Sequence, residues 1–206
     1  PASIGSYASK ASGHWDLGYY VFDAELGRNY FVSKALALRP FLGLRGAWIN
    51  QKFNANYHNV GVAAIGTTEV NTRMKNDYSA GGVRLGFNME WFFWSTFGIY
   101  GNISTSLVYG SFAVKTKVEA AEAQVVHLKS NINRMRPNLE TGLGLRWATN
   151  WDSCRFSLSL GYEMIQWWNM NQLTKVEFPG AANGFVHRSN GDLGLQGMTL
   201  AAGLEF

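Results

Sequence analysis

At 206 residues the chain has the length of one domain, taken here as residues 1–206, with enough material for a closed sheet. Charged residues are only 16% while aromatics reach 15%, yet mean hydropathy is −0.12 and no apolar run is long enough for a membrane helix. That excludes a helical membrane protein but not a transmembrane barrel, whose lumen residues dilute the hydropathy of every strand.

Residues 1–13 are small and polar and read as loop. From Trp15 a period of two begins, the signature of a half-buried strand. Tyr20, Phe22, Ala24 and Leu26 share one face, and Asp23, Glu25 and Gly27 take the other. Residues 36–52 repeat it, with Leu36, Leu38, Leu42, Leu44 and Trp48 opposite Arg39, Gly43, Arg45 and Gln51. Pro40 lacks an N–H for a ladder, so it predicts a bulge or a weakened strand at that point. A polar stretch without periodicity, residues 54–75, reads as a loop. Strand three sets Val83, Leu85, Phe87, Met89 and Trp91 against Arg84, Asn88 and Glu90, and a short turn near Trp94 leads to strand four, Phe97 to Tyr109. A second polar stretch, 115–133, separates it from strand five, where Met135, Leu139, Leu143, Leu145 and Trp147 oppose Arg136, Glu140 and Arg146. Strand six follows the turn at 149–154, with Phe156, Leu158, Leu160, Tyr162 and Met164 against Arg155, Ser157, Ser159 and Glu163. A third polar stretch, 169–190, precedes the last strand, which alternates Met198, Leu200, Ala202, Leu204 and closes on Phe206.

Short and long connections alternate, as in outer-membrane barrels with tight periplasmic turns and longer extracellular loops. A terminal alternating strand ending on an aromatic residue resembles the C-terminal insertion signal of such barrels, which makes Phe206 the candidate membrane-insertion signal and the barrel-assembly machinery an expected partner. The fold class expected is therefore all-β, an antiparallel up-and-down transmembrane barrel in the bacterial outer membrane, in contact with its lipid and lipopolysaccharide. Seven strands are an odd number, whereas bacterial single-chain barrels are even, so further N-terminal strands are expected. Alternation alone does not say which face is inside: a soluble barrel would point its apolar parity inward. Tryptophans near strand ends and turns, Trp48, Trp91, Trp94, Trp147, Trp151, Trp167 and Trp168, suit two interfacial girdles.

The segment Glu25–Phe53 carries LGR at 26–28, FVSK at 31–34, LRP at 38–40 and GLRGAW at 43–48, with GLGLRW at 142–147 and the closing LAAGLEF. With these pieces the chain resembles the Legionella-type pore-forming major outer-membrane protein family, loosely grouped with chlamydial major outer-membrane proteins. The resemblance implies a porin-like barrel of which this chain is the C-terminal part. The expected function is a passive channel for small hydrophilic solutes, with Arg39, Arg45, Arg84, Glu90, Arg136, Glu140, Arg146, Arg155 and Glu163 lining the pore. These charges have two readings, a wall field that selects solutes or Arg–carboxylate links that plug a narrow lumen and leave function to the loops.

No enzyme is expected. The four histidines, His14, His58, His127 and His187, all fall near the extracellular end, but without a spacing such as HExxH or GxSxG. The glycine-rich GLGLRG and GLGLRW segments lie within strands with no helix after them, so they are not phosphate loops; glycine there permits close packing or curvature. A single cysteine, Cys154, gives neither a disulfide framework nor a metal site. The basic residues behind the net charge of +4 are dispersed, so no nucleic-acid partner is expected. No cofactor and no metal are expected, and homo-oligomerisation is left open, since nothing in the sequence marks a subunit interface.

Overall fold

The alternation is realised as a single continuous ladder. A computed structural model describes residues 9–62, 65–120, 123–151, 154–177, 185–188 and 190–205; Phe206, the expected insertion signal, lies outside them. The strands are β1 (Lys10–Gly27), β2 (Tyr30–Phe31), β3 (Leu36–Val62), β4 (Ile65–Phe92), β5 (Phe97–Ala120), β6 (Ala123–Trp151), β7 (Cys154–Asn171), β8 (Thr174–Glu177), β9 (Phe185–Arg188) and β10 (Gly191–Glu205). The main sheet runs β1-β3-β4-β5-β6-β7-β10, every pairing antiparallel, curled into a half-barrel.

Two of the stretches read as long loops are strand. The β3–β4 ladder continues residue by residue to Tyr57↔Val70, and the β5–β6 ladder to Val118↔Val126. The third, 169–190, contains the β8–β9 hairpin, Thr174↔Arg188 to Glu177↔Phe185. The physical reason is that alternation reports a difference between two faces. Past the apolar belt the convex face turns polar, so the contrast between faces fades while the backbone hydrogen bonds carry on. With 24–29 residues each, β3 to β6 are more than twice the roughly 9–11 residues that cross a bilayer. Strand β1 likewise begins at Lys10, inside the stretch read as loop.

Pro40 makes no bulge. The β3–β4 register passes through Pro40↔Phe87 without a shift, and the β1 ladder stops next to it, at Gly27↔Phe41. The Pro40 carbonyl accepts from Arg28 N–H at 3.3 Å, so its missing N–H points to the side where β1 ends. Pro137 does the same job on β6, where the β7 ladder starts one residue later at Asn138↔Trp167. Proline is tolerated where no ladder partner is waiting.

Curvature has its own sequence cause. Gly43, Gly82, Gly86 and Gly110 share the concave parity, and a Cβ on any of them would come within 2.1–2.5 Å of a carbonyl oxygen of the adjacent strand. The tight curl exists because these positions carry no side chain. Its extent is visible in Tyr19 of β1 and Trp167 of β7, which lie five gaps apart in the sheet order, about 24 Å along a flat sheet. Their rings nevertheless meet at 6.5 Å, and Trp167 Nε1 donates to the Tyr19 hydroxyl at 3.3 Å.

Trp167 is therefore not part of a girdle: it is fully buried on the concave side, together with Ile49, Tyr78, Val108, Phe112, Val114, Met170 and Leu193. The polypeptide does not turn at Trp167 but continues in β7 to Asn171. Asn169, at φ 53°, takes the left-handed conformation that asparagine tolerates, and the β7–β10 register shifts there. Trp167 keeps the inward parity of Arg155 and Glu163, and this irregularity brings Met170 to the same side. Trp48, Trp91 and Trp94 do project outward, each about half exposed or more.

Candidate functional site

The concave face carries the charges, and the convex face carries none along the apolar belt from Tyr20–Leu26 on β1 to Met198–Leu204 on β10. Asp23 and Glu25 come from β1, Arg39 and Arg45 from β3, Arg84 and Glu90 from β4, Ser104 and Ser106 from β5, Arg136, Asn138, Glu140 and Arg146 from β6, and Arg155 and Glu163 from β7. Because side chains alternate, each strand contributes to this face with every second residue.

Arg45 is the hub. Its Nε and Nη2 donate to the two carboxylate oxygens of Asp23, each at 2.7 Å. Its Nη1 and Nη2 donate to Glu140, the latter at 3.0 Å, and Nη1 also reaches Asn138 Oδ1 at 3.1 Å. Arg84 adds a second bridge, donating to Glu25 at 3.0 Å, Glu140 at 2.8 Å and the Ser104 hydroxyl at 3.0 Å. Arg39 donates to the other Glu25 oxygen at 2.8 Å. The Phe41 ring lies under Arg84, whose guanidinium carbon sits 4.9 Å from its centroid. Bidentate guanidinium–carboxylate pairs of this kind are among the stronger polar contacts. From β1 to β6 they tie together strands that share no ladder.

Below this network, toward the short turns, two clefts open. One, of about 300 Å³, is lined by Glu25, Arg84, Asn88, Asn102, Glu140 and Glu163 among others. The second, of about 610 Å³, is lined by Lys34, Arg39, Glu90, Arg146 and Arg155 together with serine and apolar side chains of the turns. Arg146 pairs with Glu90 across it. Above the network the concave side is filled by the apolar cluster around Ile49, Tyr78, Phe112 and Trp167, and Arg136 stacks over Phe112 with its guanidinium carbon 5.1 Å from the ring centroid.

The nine charged residues expected on one face thus share it, but in two groups. Arg45, Arg84, Glu140 and Arg136 are largely enclosed, whereas Arg39, Glu90, Arg146, Arg155 and Glu163 border the clefts. Asp23, Ser104, Ser106 and Asn138, which complete the network, share the parity that sequence reasoning found, but their convergence depends on the curl. His14 and His58 are not brought together: His14 contacts Asp16 at 3.1 Å and His58 contacts Glu69 at 3.0 Å, four positions apart in the β1–β3 register. Among the described residues no group of three or more His, Cys, Asp or Glu could hold a metal ion.

One comparison of exposures decides which medium each face meets. The Arg45 side chain is 2% exposed, while its neighbour Leu44 is 66% exposed and Leu143, across the sheet, 62%. A face of exposed leucine over a buried arginine network is inverted for water, and fits hydrocarbon, where a charge at the midplane of the lipid face costs about 2–4 kcal/mol. A family model described as Legionella pneumophila major outer membrane protein precursor matches residues 2–206. The chain belongs to that family. Comparison with curated proteins and with solved structures gave no match. As a member of an outer-membrane protein family with this sheet, the protein resides in the bacterial outer membrane.

Proposed function

We propose that this outer-membrane protein is a porin, a passive, non-enzymatic route for small hydrophilic solutes along its charged concave face. The observation that carries the reading is the cleft at the periplasmic end, where Lys34, Arg39, Arg146 and Arg155 stand against a single carboxylate, Glu90. Arg155 borders this cleft beside the Glu90–Arg146 pair. Rings of charged side chains at a constriction set which ions enter. The test is single-channel conductance of the full-length protein in planar bilayers. Open steps whose reversal potential shifts toward cations on Arg146→Glu support the porin.

A second reading is favoured by a different observation, the apolar cluster that fills the concave side above the charge network. If it persists in the membrane the lumen is closed, and the protein is a structural or adhesive barrel acting through its outer hairpins. Silent bilayers with verified insertion would select this reading.

A further inference from the structure

A further cleft opens at the long-hairpin end of the sheet, on the other side of the apolar cluster from the two clefts beside the charge network. It holds about 470 Å³, with Trp15, Gln51, Phe53 and Met74 on one wall and Asn171 and Asp192 on the facing one. Leu193 belongs to both the cleft and the cluster, so the cluster forms part of its floor.

The two walls differ because they come from opposite sides of the curl. Trp15 of β1 stands directly opposite Phe53 of β3, and Phe53 opposite Met74 of β4. One row across three adjacent strands is therefore apolar, on the inward parity that carries charge lower down. Trp15 is 49% exposed, a large flat ring left uncovered. The facing wall, from the end of β7 and the start of β10, is polar. Asn169 N–H donates to Asp192 Oδ1 at 2.8 Å and Leu173 N–H donates to Asn171 Oδ1 at 3.0 Å, so the backbone holds both side chains across from the rings.

Gln51 narrows the choice of ligand. It is 4% exposed, and its Nε2 has no acceptor among the described residues. Buried amides are almost always paired, so a donor enclosed at the border of a cleft calls for an acceptor from the occupant. Among the described residues no cationic side chain lines the cleft, and an anion would stand against Asp192 unscreened. An apolar molecule would leave Gln51 unanswered. So would a quaternary ammonium, which has no lone pair to offer, although Trp15 and Asp192 alone would suit it. A neutral sugar answers all three groups. Its flat C–H face covers an aromatic ring, while its hydroxyls accept from Gln51 and donate to Asp192. The volume falls within the roughly 300–1,000 Å³ of small-molecule sites.

We infer that this cleft is a binding site for a neutral pyranose sugar, with Trp15 as its platform, Gln51 as a donor and Asp192 as an acceptor to its hydroxyls. The site goes beyond both readings of function, because the apolar cluster separates it from the charged clefts.

The experiment titrates the full-length protein with glucose, galactose, mannose and maltose in polyoxyethylene-ether micelles, whose headgroup is neither sugar nor ammonium. Saturation-transfer NMR reads binding, and saturable transfer to the C–H protons of at least one sugar is expected. Trp15→Ala and Gln51→Leu should each weaken that binding about tenfold or more, with Trp15→Phe recovering part of the loss. Trp94→Ala, at the opposite end of the sheet, should leave it unchanged. Melting in the same micelles confirms that each variant is folded. Absence of saturable transfer to any of these sugars overturns the proposal, and binding within twofold of the parent in both Trp15→Ala and Gln51→Leu overturns the site. Binding of tetramethylammonium that Trp15→Ala removes and Gln51→Leu spares, without sugar binding, overturns the choice of sugar. Conductance enters none of these readouts, so their failure is distinct from failure of the porin reading.

Discussion

Arg45 shows how one side chain can decide the shape of a sheet. Its guanidinium serves two carboxylates, Asp23 and Glu140, on strands that are not neighbours, so no shorter or less forked side chain can replace it. Removing one member of an enclosed ion network leaves the others charged and unpaired, at a cost of about 3–5 kcal/mol. Arg45→Met should therefore lower stability by about that amount, measured by urea unfolding in lipid vesicles, with Arg45→Lys recovering only part. Gly82 makes the complementary case from space rather than charge. A Cβ there would sit 2.1 Å from the Leu107 carbonyl oxygen, and backbone does not yield as a flexible side chain would. Gly82→Ala is expected to cost about 1–3 kcal/mol in the same assay, the range of overpacking, whereas Gly197→Ala, where a Cβ meets nothing within 4 Å, should leave unfolding unchanged.

The strands behave as two-part elements. Their inner halves alternate because one face meets lipid and the other meets charge; along their outer halves the convex face is polar too, so the contrast is lost. Only the inner halves are needed for the network and its curl. Replacing residues 57–70, the tip of the β3–β4 hairpin closed by Tyr57↔Val70, with a two-residue turn should leave a barrel that still shows a heat-modifiable band on gels. Loss of folding on that deletion would mean that the hairpin nucleates the sheet rather than extends it. Pro40 and Pro137 occur where the neighbouring ladder ends and a missing N–H is harmless.

For the molecule as a whole, inversion of the two faces is the property that places it in a membrane, and tryptophan reports it directly. Trp48, Trp91 and Trp94 are outward and about half exposed or more, while Trp167 is fully enclosed on the concave side. Single-tryptophan variants in vesicles with brominated acyl chains should show strong quenching of Trp91 and Trp48 fluorescence and little or none of Trp167. Quenching of Trp167 equal to that of Trp91 would mean that the apolar cluster opens to lipid in the bilayer. Conductance then separates an open passage from a filled one.

Much of this was present in the sequence. A period of two is a local property of the chain, so the strand class, the division of charge between two faces, the short turns and the shared face of the nine charged residues from Arg39 to Glu163 could all be read without coordinates. The sequence also carried enough family pattern around Glu25–Phe53 to point to the outer-membrane family that the whole chain matches. Three things needed tertiary structure. Outer strand halves have no contrast between faces, so they read as loops until pairing was known. Trp167 read as interfacial because a turn was expected there, whereas β7 runs on to Asn171 and Trp167 keeps the inward parity of Glu163, beneath a curl that only the fold supplies. Above all, convergence of Asp23, Arg45 and Glu140 depends on curl and register. Both are set by contacts between residues tens of positions apart, and a linear pattern does not record which strand a residue will face.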